Sequence, residues 1–362
     1  MMLLVRLNPT RLILACILIG ALVAIIGSLG GSGSGGALLL SLVFWVSVVE
    51  GCVALVAGAE LSNAKWILPL KRGLLSVYPL LLFFAFLFLL IWPQMDLYSW
   101  TKEPGLWLNK GFFVTRSFVL LLLAFFVARM FARESLAGGS KKNLFAVIYL
   151  LVFVTSQSLI AFDWIMSLEQ PWFSTLFGGY FFVEAFYAAI AISIIIYIFY
   201  ARKAAGSEET LRDAAKMLFG FSLLWAGLFY AQYLVIWYGH LPEETGYLIK
   251  RIFPPYAFIS KVILALLFIL PFIGLLSRKL KTVPVVTGVL SLCVLVGIFL
   301  ERFLFIVPVV EMNIAIIVVE FLALAILFFA TIGSEDLLLP ALPDGGAVWR
   351  PAKSSGMPKL HN

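Results

Sequence analysis

Residues 37–59, ALLLSLVFWVSVVEGCVALVAGA, decide the fold class of this chain. An α-helix needs about 20 apolar residues to cross the hydrocarbon core of a bilayer, and this stretch is long enough, with Glu50 as its single charged side chain. Nine further apolar runs surround it, at about 12–30, 74–93, 111–131, 144–165, 175–200, 214–239, 254–277, 283–303 and 312–333. The sequence therefore predicts an all-α polytopic membrane protein with about ten transmembrane helices.

The overall composition agrees with a membrane location. Of 362 residues, 63% are hydrophobic and 12% are charged, whereas soluble domains average roughly 45–50% apolar and about 25% charged residues. The net charge of +7 is typical of a nucleic-acid binder or of a polytopic protein whose cytoplasmic loops collect Lys and Arg. We favour the second interpretation because no basic patch lies outside the short loops. Lipid is then an expected partner, and nucleic acid is not.

The distribution of Lys and Arg predicts the orientation. Nineteen of these residues lie in the N-terminal segment, the second, fourth, sixth and eighth loops and the C-terminal tail, and five (Lys102, Lys110, Lys250, Arg251 and Arg302) lie in the other loops. The positive-inside rule therefore places both termini in the cytoplasm. The first apolar run precedes a Gly/Ser-rich segment and is either a cleaved signal peptide or a retained helix. We favour the helix because the run is longer than a usual signal core of roughly 7–15 residues.

Several features recur along the chain and suggest a parallel internal repeat, although chance matches are easy in so biased a composition. The matched pairs are Trp92 with Trp237, Glu50 with Glu184, Arg116 with Lys261, and Asp163 with Glu301. The repeat predicts two four-helix bundles, spans two to five and six to nine, with one flanking helix at each end. The predicted segments are 1–36 for the first helix and its Gly/Ser loop, 37–165 and 166–303 for the two bundles, 304–333 for the tenth helix and 334–362 for a loosely ordered cytoplasmic tail.

Five ionisable side chains fall inside the spans, where each costs roughly 2.5–3.5 kcal/mol to insert. They are Glu50, Arg116, Glu184, Lys261 and Glu320. One interpretation is an external half-channel for protons, because an isolated carboxyl in apolar surroundings is neutral and can relay a proton. A site for a quinone head group is a second interpretation. The third is structural: a buried ion pair, such as Glu184 with Lys261, that fixes the register of two helices.

Metal and haem sites have little support. The cysteines Cys16, Cys52 and Cys293 lie far apart in apolar stretches, and no CxxC spacing occurs. A cytochrome that holds two haems by paired imidazoles needs four histidines, and this chain has only His240 and His361. We therefore expect no metal and no redox cofactor bound by this chain.

Two segments on the predicted external side are the most distinctive. Residues 161–175, AFDWIMSLEQPWFST, form an aromatic and acidic loop that contains Asp163 and Glu169. An interfacial aromatic belt would explain part of this composition. The next external loop contains His240, which is either incidental or a group that donates to a quinone carbonyl or passes protons.

At these segments the chain resembles a known family. The stretches FDWIMSLE (162–169) and WFSTLFG (172–178) are similar to the second quinone-binding-type membrane subunit of bacterial alternative complex III. So are QYLVIWY (232–238) with PEET (242–245), and SKVIL (260–264) with LPF (270–272). The resemblance covers spans three to nine well and is weaker at both ends. That family is related to the membrane subunit of polysulfide reductase.

The resemblance implies ten helices in two four-helix bundles and a place in the bacterial cytoplasmic (inner) membrane. It implies a subunit of a quinol:cytochrome c or other quinol:acceptor oxidoreductase. A sister membrane subunit, a multihaem cytochrome c and an iron–sulfur subunit would be its partners, with haem and clusters in those partners. Quinone would bind either this chain or only the sister subunit, and the sequence leaves these two alternatives open. A secondary transporter and a purely structural anchor of the complex are the alternatives.

The residue predictions divide into two groups. Asp163, Glu169, Glu184 and Lys261 match the family positions proposed to conduct protons, and Glu50 and Glu320 join them because they lie inside spans. Arg116 and His240 are the candidates for a quinone site. Near the end of span nine the family often has an Asp, whereas this chain has Glu301 followed by Arg302, which leaves the role of that span open.

Overall fold

A computed structural model describes residues 7–29, 33–201 and 207–339. Ten helices within these residues are long and apolar enough to cross a membrane, and the described residues include no strand. Their bounds are Pro9–Leu29 (α1), Ser34–Leu61 (α2), Lys71–Leu97 (α3), Lys110–Ala137 (α4), Lys142–Leu168 (α5), Leu176–Phe199 (α6), Glu208–Gly239 (α7), Ala257–Leu276 (α8), Pro284–Ile306 (α9) and Ile314–Gly333 (α10). The prediction of an all-α, multi-pass membrane protein is confirmed. Most of the predicted tail 334–362, and residues 30–32 of the Gly/Ser loop, lie outside the described residues.

Local sequence signals set several helix ends. The side chain of Asn109 accepts a hydrogen bond from the Phe112 N–H and caps the start of α4. Asn313 caps α10 in the same way through the N–H groups of Ala315 and Ile316. At the other end of α4, Gly138 adopts a left-handed conformation with φ of 66°, which a glycine reaches without steric cost. These caps satisfy backbone groups that a helix end leaves unpaired.

The helices pack as two rings of four with two helices at the side. In the first ring α2 packs on α3 and α5, α3 packs on α4, and α4 packs on α5. In the second ring α6 packs on α7 and α9, and α8 packs on both α7 and α9. Helix α10 packs on α2, and α1 packs on α10 and α2. The first ring therefore contains α2 to α5 and the second contains α6 to α9, which are the two sets of helices that the predicted repeat relates.

Helices α2 and α6 form the centre of the molecule, where the two rings meet. Helix α2 is buried along nearly its whole length, and α6 is almost as completely buried. A Cβ atom added at Gly51 would lie 2.1 Å from the carbonyl oxygen of Ala185, so the two backbones are in direct contact there. Glycine and alanine are what allow this approach, as in other membrane helix pairs.

Three spanning helices contain π-helical residues: α6 at its end, Tyr197–Ala201, and α5 and α8 in their interiors. The turn in α5, Ile160–Ile165, carries Asp163, and the helix continues to Leu168. The predicted span 144–165 and the predicted external loop 161–175 overlap at this turn, and the structure continues the helix to Leu168, because these aromatic and acidic residues pack inside the ring. The turn in α8, Ala265–Ile269, directly precedes Leu270 and Pro271, and a proline inside a helix disturbs its hydrogen-bond ladder.

A short helix at Pro242–Ile252, the surface helix, connects α7 to α8. It is amphipathic and too short to cross a bilayer, which is typical of a helix that lies along the membrane surface. We call the end of the molecule with the surface helix, Trp107, Glu169 and His240 the predicted external face. The opposite end, which carries Lys71, Lys141 and Lys281, is the predicted cytoplasmic face.

Replacement of Gly51 by Ala should destabilise the junction between the rings. The added methyl group would collide with the backbone of α6, and overpacking of this kind costs about 1–3 kcal/mol. Thermal unfolding in detergent should therefore show a lower midpoint for Gly51→Ala. Gly58→Ala in the same helix is the control, because its nearest atom would be a side-chain carbon of Phe186 at 4.0 Å. Equal midpoints for both variants would contradict the close crossing.

The orientation can be tested with single cysteines in a background from which Cys16, Cys52 and Cys293 are removed. His240 and Lys141 are both exposed, at opposite ends of the molecule. In intact cells, a membrane-impermeant maleimide should label His240→Cys, and it should label Lys141→Cys only after permeabilisation. The reverse pattern would show that the chain is inserted the other way round.

Candidate functional site

A hydrogen-bonded network lies inside the first ring around Glu50, whose side chain is fully buried. Ser156 and Gln157 of α5 each donate to one carboxyl oxygen of Glu50, at 2.7 Å. Ser47 donates in turn to the amide oxygen of Gln157, at 2.8 Å. No cation pairs with Glu50 among the described residues, so neutral donors alone surround this carboxyl group.

A second cluster, the charge cluster, lies inside the second ring and consists of Tyr180, Glu184, Trp225, Glu301 and Arg302. Nη2 of Arg302 lies 2.6 Å from Oε2 of Glu184, and both side chains are completely buried. The Arg302 guanidinium carbon lies 3.4 Å from the ring centre of Phe181, within cation–π range. The predicted ion pair between Glu184 and Lys261 does not form. The buried base that pairs with Glu184 is Arg302, because α9 continues to Ile306 and carries Arg302 inside the ring.

Glu301 is the second acid of the charge cluster and lies beside Glu184. Tyr180 donates to its Oε1 at 2.5 Å, and Trp225 donates to its Oε2 at 3.2 Å. One guanidinium balances one carboxylate, so two carboxyl groups and Arg302 are neutral together when they share a single proton. A group of acids that share a proton in a buried site is suited to accept and pass protons.

A cavity of about 430 Å³ lies next to the charge cluster, between α7, α8 and α9. Its walls are mainly apolar and include several aromatic rings, and Glu301 and Tyr180 form part of them. Lys261 and Gln232 also line it, and Lys261 has no ion-pair partner among the residues that the structure describes. Several wall residues, including Tyr230 at 60% exposure, are exposed on the outer surface of the ring, so the cavity opens sideways toward the lipid. Small-molecule sites are typically apolar cavities of this size with a few polar groups.

The surface helix covers the external side of this cavity through Tyr247 and Arg251. The Tyr247 ring stacks on Trp172 with 3.6 Å between ring centres, and the Arg251 guanidinium carbon lies 3.6 Å from the Tyr247 ring centre. Burial raises the pKa of Tyr247 to about 12, and the nearby Arg251 charge opposes that rise. Tyr247 therefore keeps its proton at neutral pH, and its buried hydroxyl has no hydrogen-bond partner within the described residues.

Glu169 fixes the surface helix to the loop between α5 and α6. Its Oε1 lies 2.6 Å from the Lys250 ammonium, and its Oε2 lies 2.9 Å from Arg251. Arg251 also donates to the backbone oxygens of Tyr247 and Phe305, at 2.8 and 3.0 Å. The predicted proton-path residue Glu169 thus makes two ion pairs, and the pairs hold the surface helix over the cavity.

Asp163 and Arg116 form a separate ion pair near the external end of the first ring. Arg116 Nε and Nη2 lie 2.9 and 2.8 Å from Oδ2 of Asp163. Trp107 donates to the other oxygen of Asp163 at 2.9 Å, and the Arg116 guanidinium carbon lies 4.1 Å from the Trp107 ring centre. Asp163 was predicted on the proton path and Arg116 at a quinone site, and the structure brings the two together in a satisfied pair.

The two remaining predicted residues, His240 and Glu320, lie outside the interiors of the two rings. His240 follows the last residue of α7 with φ of 50°, and its side chain is exposed outside the cavity wall. Glu320 of α10 is buried, and one of its carboxyl oxygens has no hydrogen-bond partner among the described residues. It lines a separate cavity of about 140 Å³ between α1, α2, α3 and α10.

Sequence reasoning missed most of the charge cluster and part of the cavity. Glu301 was placed at the end of span nine, and Arg302 and Arg251 were counted with the external loops. Tyr180 and Trp225 carried no sequence signal beyond their residue types. One signal was present: three turns of apolar sequence precede Glu301, and apolar residues continue after Arg302 to Ile306. An adjacent acid and base inside such a run point to buried partners on another helix.

Comparison with known proteins adds no family assignment. No protein-family model matches the chain, and no curated protein matches it. Among the described residues, no group of three or more His, Cys, Asp or Glu side chains is arranged to hold a metal ion.

Removal of Arg116 should destabilise the first ring strongly. Arg116→Met would leave the buried Asp163 without its cation, and loss of one partner of a buried ion pair costs about 3–5 kcal/mol. The double variant Arg116→Met, Asp163→Asn should recover part of this loss, because no uncompensated charge remains. Thermal unfolding in detergent measures both effects. A double variant as unstable as Arg116→Met would show that the charge of Asp163 is not the cause.

Proposed function

We propose that this chain is a cofactor-free membrane subunit of a bacterial quinol-oxidising complex of the alternative complex III type. In this proposal a quinol ring occupies the cavity beside Glu301, and the charge cluster takes up a proton released there. One observation carries the proposal: the carboxyl group of Glu301 forms part of an aromatic, lipid-facing cavity and also adjoins the buried Glu184 and Arg302.

The composition of the cavity suits a quinol. A flat hydrophobic ring packs favourably against aromatic side chains such as Trp225 and Phe229, and a sideways opening admits a molecule dissolved in the bilayer. The Tyr247 hydroxyl and the Lys261 ammonium are available donors for a ring oxygen. Glu301 is an acceptor within the same wall.

Oxidation of a quinol to a quinone releases two electrons and two protons. In this proposal the chain accepts protons, and the electrons pass to haem or iron–sulfur clusters of partner subunits. Glu301 takes one of the two protons and shares it with Glu184, so that the two carboxyl groups and Arg302 are neutral together, and the other proton leaves to water at the predicted external face. The hydrogen bond from Tyr180 orients the Glu301 carboxyl group.

In this proposal the first ring contributes one buried protonatable group and two structural ion pairs. Glu50 and its donors Ser156 and Gln157 form a second buried protonatable group, near the close crossing of α2 and α6. The ion pairs of Asp163 and Glu169 have a structural role, because each carboxylate is already paired with one or two cations. Proton movement is therefore assigned to Glu50, which has no cation, and to Glu184 and Glu301, which have only Arg302 beside them.

The test begins with purification of the chain from its native membrane in a mild detergent. Multihaem cytochrome c, an iron–sulfur protein and a sister membrane subunit should copurify, as haem staining and mass spectrometry would reveal. In this purified complex, Glu301→Gln should lower the kcat of quinol oxidation by about 10²–10⁴-fold, the usual effect of losing a proton acceptor. Glu103→Gln, an exposed acid on the same face, is the control and should leave kcat unchanged.

Three outcomes would contradict the proposal in different ways. A chain that purifies alone is not a subunit of such a complex. A Glu301→Gln complex that assembles and keeps its full kcat would exclude Glu301 as the proton acceptor. Variants of Glu50, Glu184 and Glu301 that impair assembly but not turnover would identify the chain as a structural anchor.

A further inference from the structure

The buried carboxyl group of Glu320 has no role in the proposed function. Its side chain is 1% exposed, and its oxygen Oε2 has no hydrogen-bond partner among the described residues. No ion pair within the described part of the chain includes Glu320, and the polar group beside its carboxyl is the hydroxyl of Ser41 in α2. A carboxylate without a compensating charge is costly inside a membrane, so this group requires either a proton or a cation.

The cavity that Glu320 lines offers oxygen atoms and no base. Ser28 of α1, Ser34 of α2 and Gln94 of α3 line it as well, and its other lining residues carry no polar side chain. The side-chain nitrogen of Gln94 donates to the carbonyl oxygen of Gly27 at 3.1 Å, which leaves the amide oxygen of Gln94 for another partner. Carboxylate, amide and carbonyl oxygens are the ligands that hard cations prefer in proteins.

Two features of the backbone add negative potential to this cavity. Gly27 and Ser28 belong to the last turn of α1, where carbonyl groups have no partner within the helix and carry a negative partial charge. On α3, Leu90 and Pro93 line the cavity within a 3₁₀-helical stretch, Leu89–Leu97. A 3₁₀ helix bonds each N–H to the carbonyl three residues earlier, and proline has no N–H, so the Leu90 carbonyl receives no bond from Pro93. Carbonyl groups at interrupted or ending helices coordinate Na⁺ in secondary transporters.

The cavity is accessible from the predicted external face. Ser28 and Pro93, near the external ends of α1 and α3, are both exposed. Glu320 lies six residues after Ile314, the first residue of α10, which is roughly 9 Å along the helix at 1.5 Å per residue. An ion from the external medium therefore reaches the carboxyl group without crossing the apolar centre of the bilayer.

Charge and volume favour a monovalent cation that keeps part of its hydration shell. One carboxylate balances one positive charge, whereas protein sites for Ca²⁺ or Mg²⁺ usually combine more than one anionic group. The cavity volume of about 140 Å³ accommodates an ion with about three or four waters, since one water occupies about 30 Å³. A proton alone would use only one of the oxygen atoms around this space.

We propose that this cavity is a binding site for one Na⁺ ion that enters from the external side. Glu320 supplies the negative charge, and Ser34, Gln94 and the Leu90 carbonyl supply neutral oxygen ligands. Because residues of α1, α2, α3 and α10 surround the cavity, a bound ion also fixes the two flanking helices to the first ring. The site shares no residue with the charge cluster, so it is independent of the quinol proposal.

The test is equilibrium binding of radioactive sodium to the purified full chain in detergent, with choline chloride keeping the ionic strength constant. We expect saturable binding of one Na⁺ per chain, and Glu320→Gln should abolish it. Glu311→Gln is the matched control and should leave binding unchanged. Glu311 is an exposed acid just before α10 on the same face, and it does not line the cavity.

A second variant removes an oxygen ligand and keeps the charge, and it decides the question if Glu320→Gln does not fold. Gln94→Leu should weaken Na⁺ binding at least about tenfold, because it removes a neutral partner of a charged group. A folded wild-type chain that retains no Na⁺ at alkaline pH would overturn the proposal, since a proton then neutralises Glu320. Unchanged binding in folded Glu320→Gln or Gln94→Leu, or equal losses in Glu320→Gln and Glu311→Gln, would also overturn it.

Discussion

The close crossing of α2 and α6 at Gly51 and Ala185 is the constraint on which the rest of the structure depends. Each ring of four helices contributes one of these two helices, so the contact determines how the rings sit against each other. The acids Glu50 and Glu184 each directly precede a residue of the contact, one in each ring. A backbone separation this small is possible only with glycine on one side and a small residue on the other.

The buried acids show two ways of tolerating charge inside the bilayer. Asp163 and Glu169 are paired with cations near the external face, and those pairs hold secondary elements together. Glu184 and Glu301 share one guanidinium between them, deep in the second ring. An arrangement with more acids than bases does not favour stability, since each uncompensated charge is costly in a medium of low dielectric constant. This excess is the reason for proposing that the proton released from a quinol is taken up in the second ring.

Hydropathy predicted all ten helices, because a spanning helix must satisfy its own backbone hydrogen bonds and therefore needs a continuous apolar run. It failed where polar residues are buried by other helices. Asp163 and Trp164 fell in the overlap between the predicted span 144–165 and the predicted loop 161–175, and they lie in a π-helical turn inside the ring. Arg302 was assigned to an external loop, and it is the buried partner of Glu184. Partner choice inside a bundle depends on helix rotation, which one sequence does not encode in any local pattern.

The surface helix adds a second link between the rings. Glu169 belongs to the connection that leaves the first ring, and its bonds to Lys250 and Arg251 reach the helix that covers the second. The rings are thus joined at the middle of the membrane and again at one surface. Alternating access requires two repeats to rock about a substrate held between them, and two joints at different depths oppose such rocking. Any transfer across this protein would therefore proceed by rotation of side chains and reorientation of water within a stationary frame.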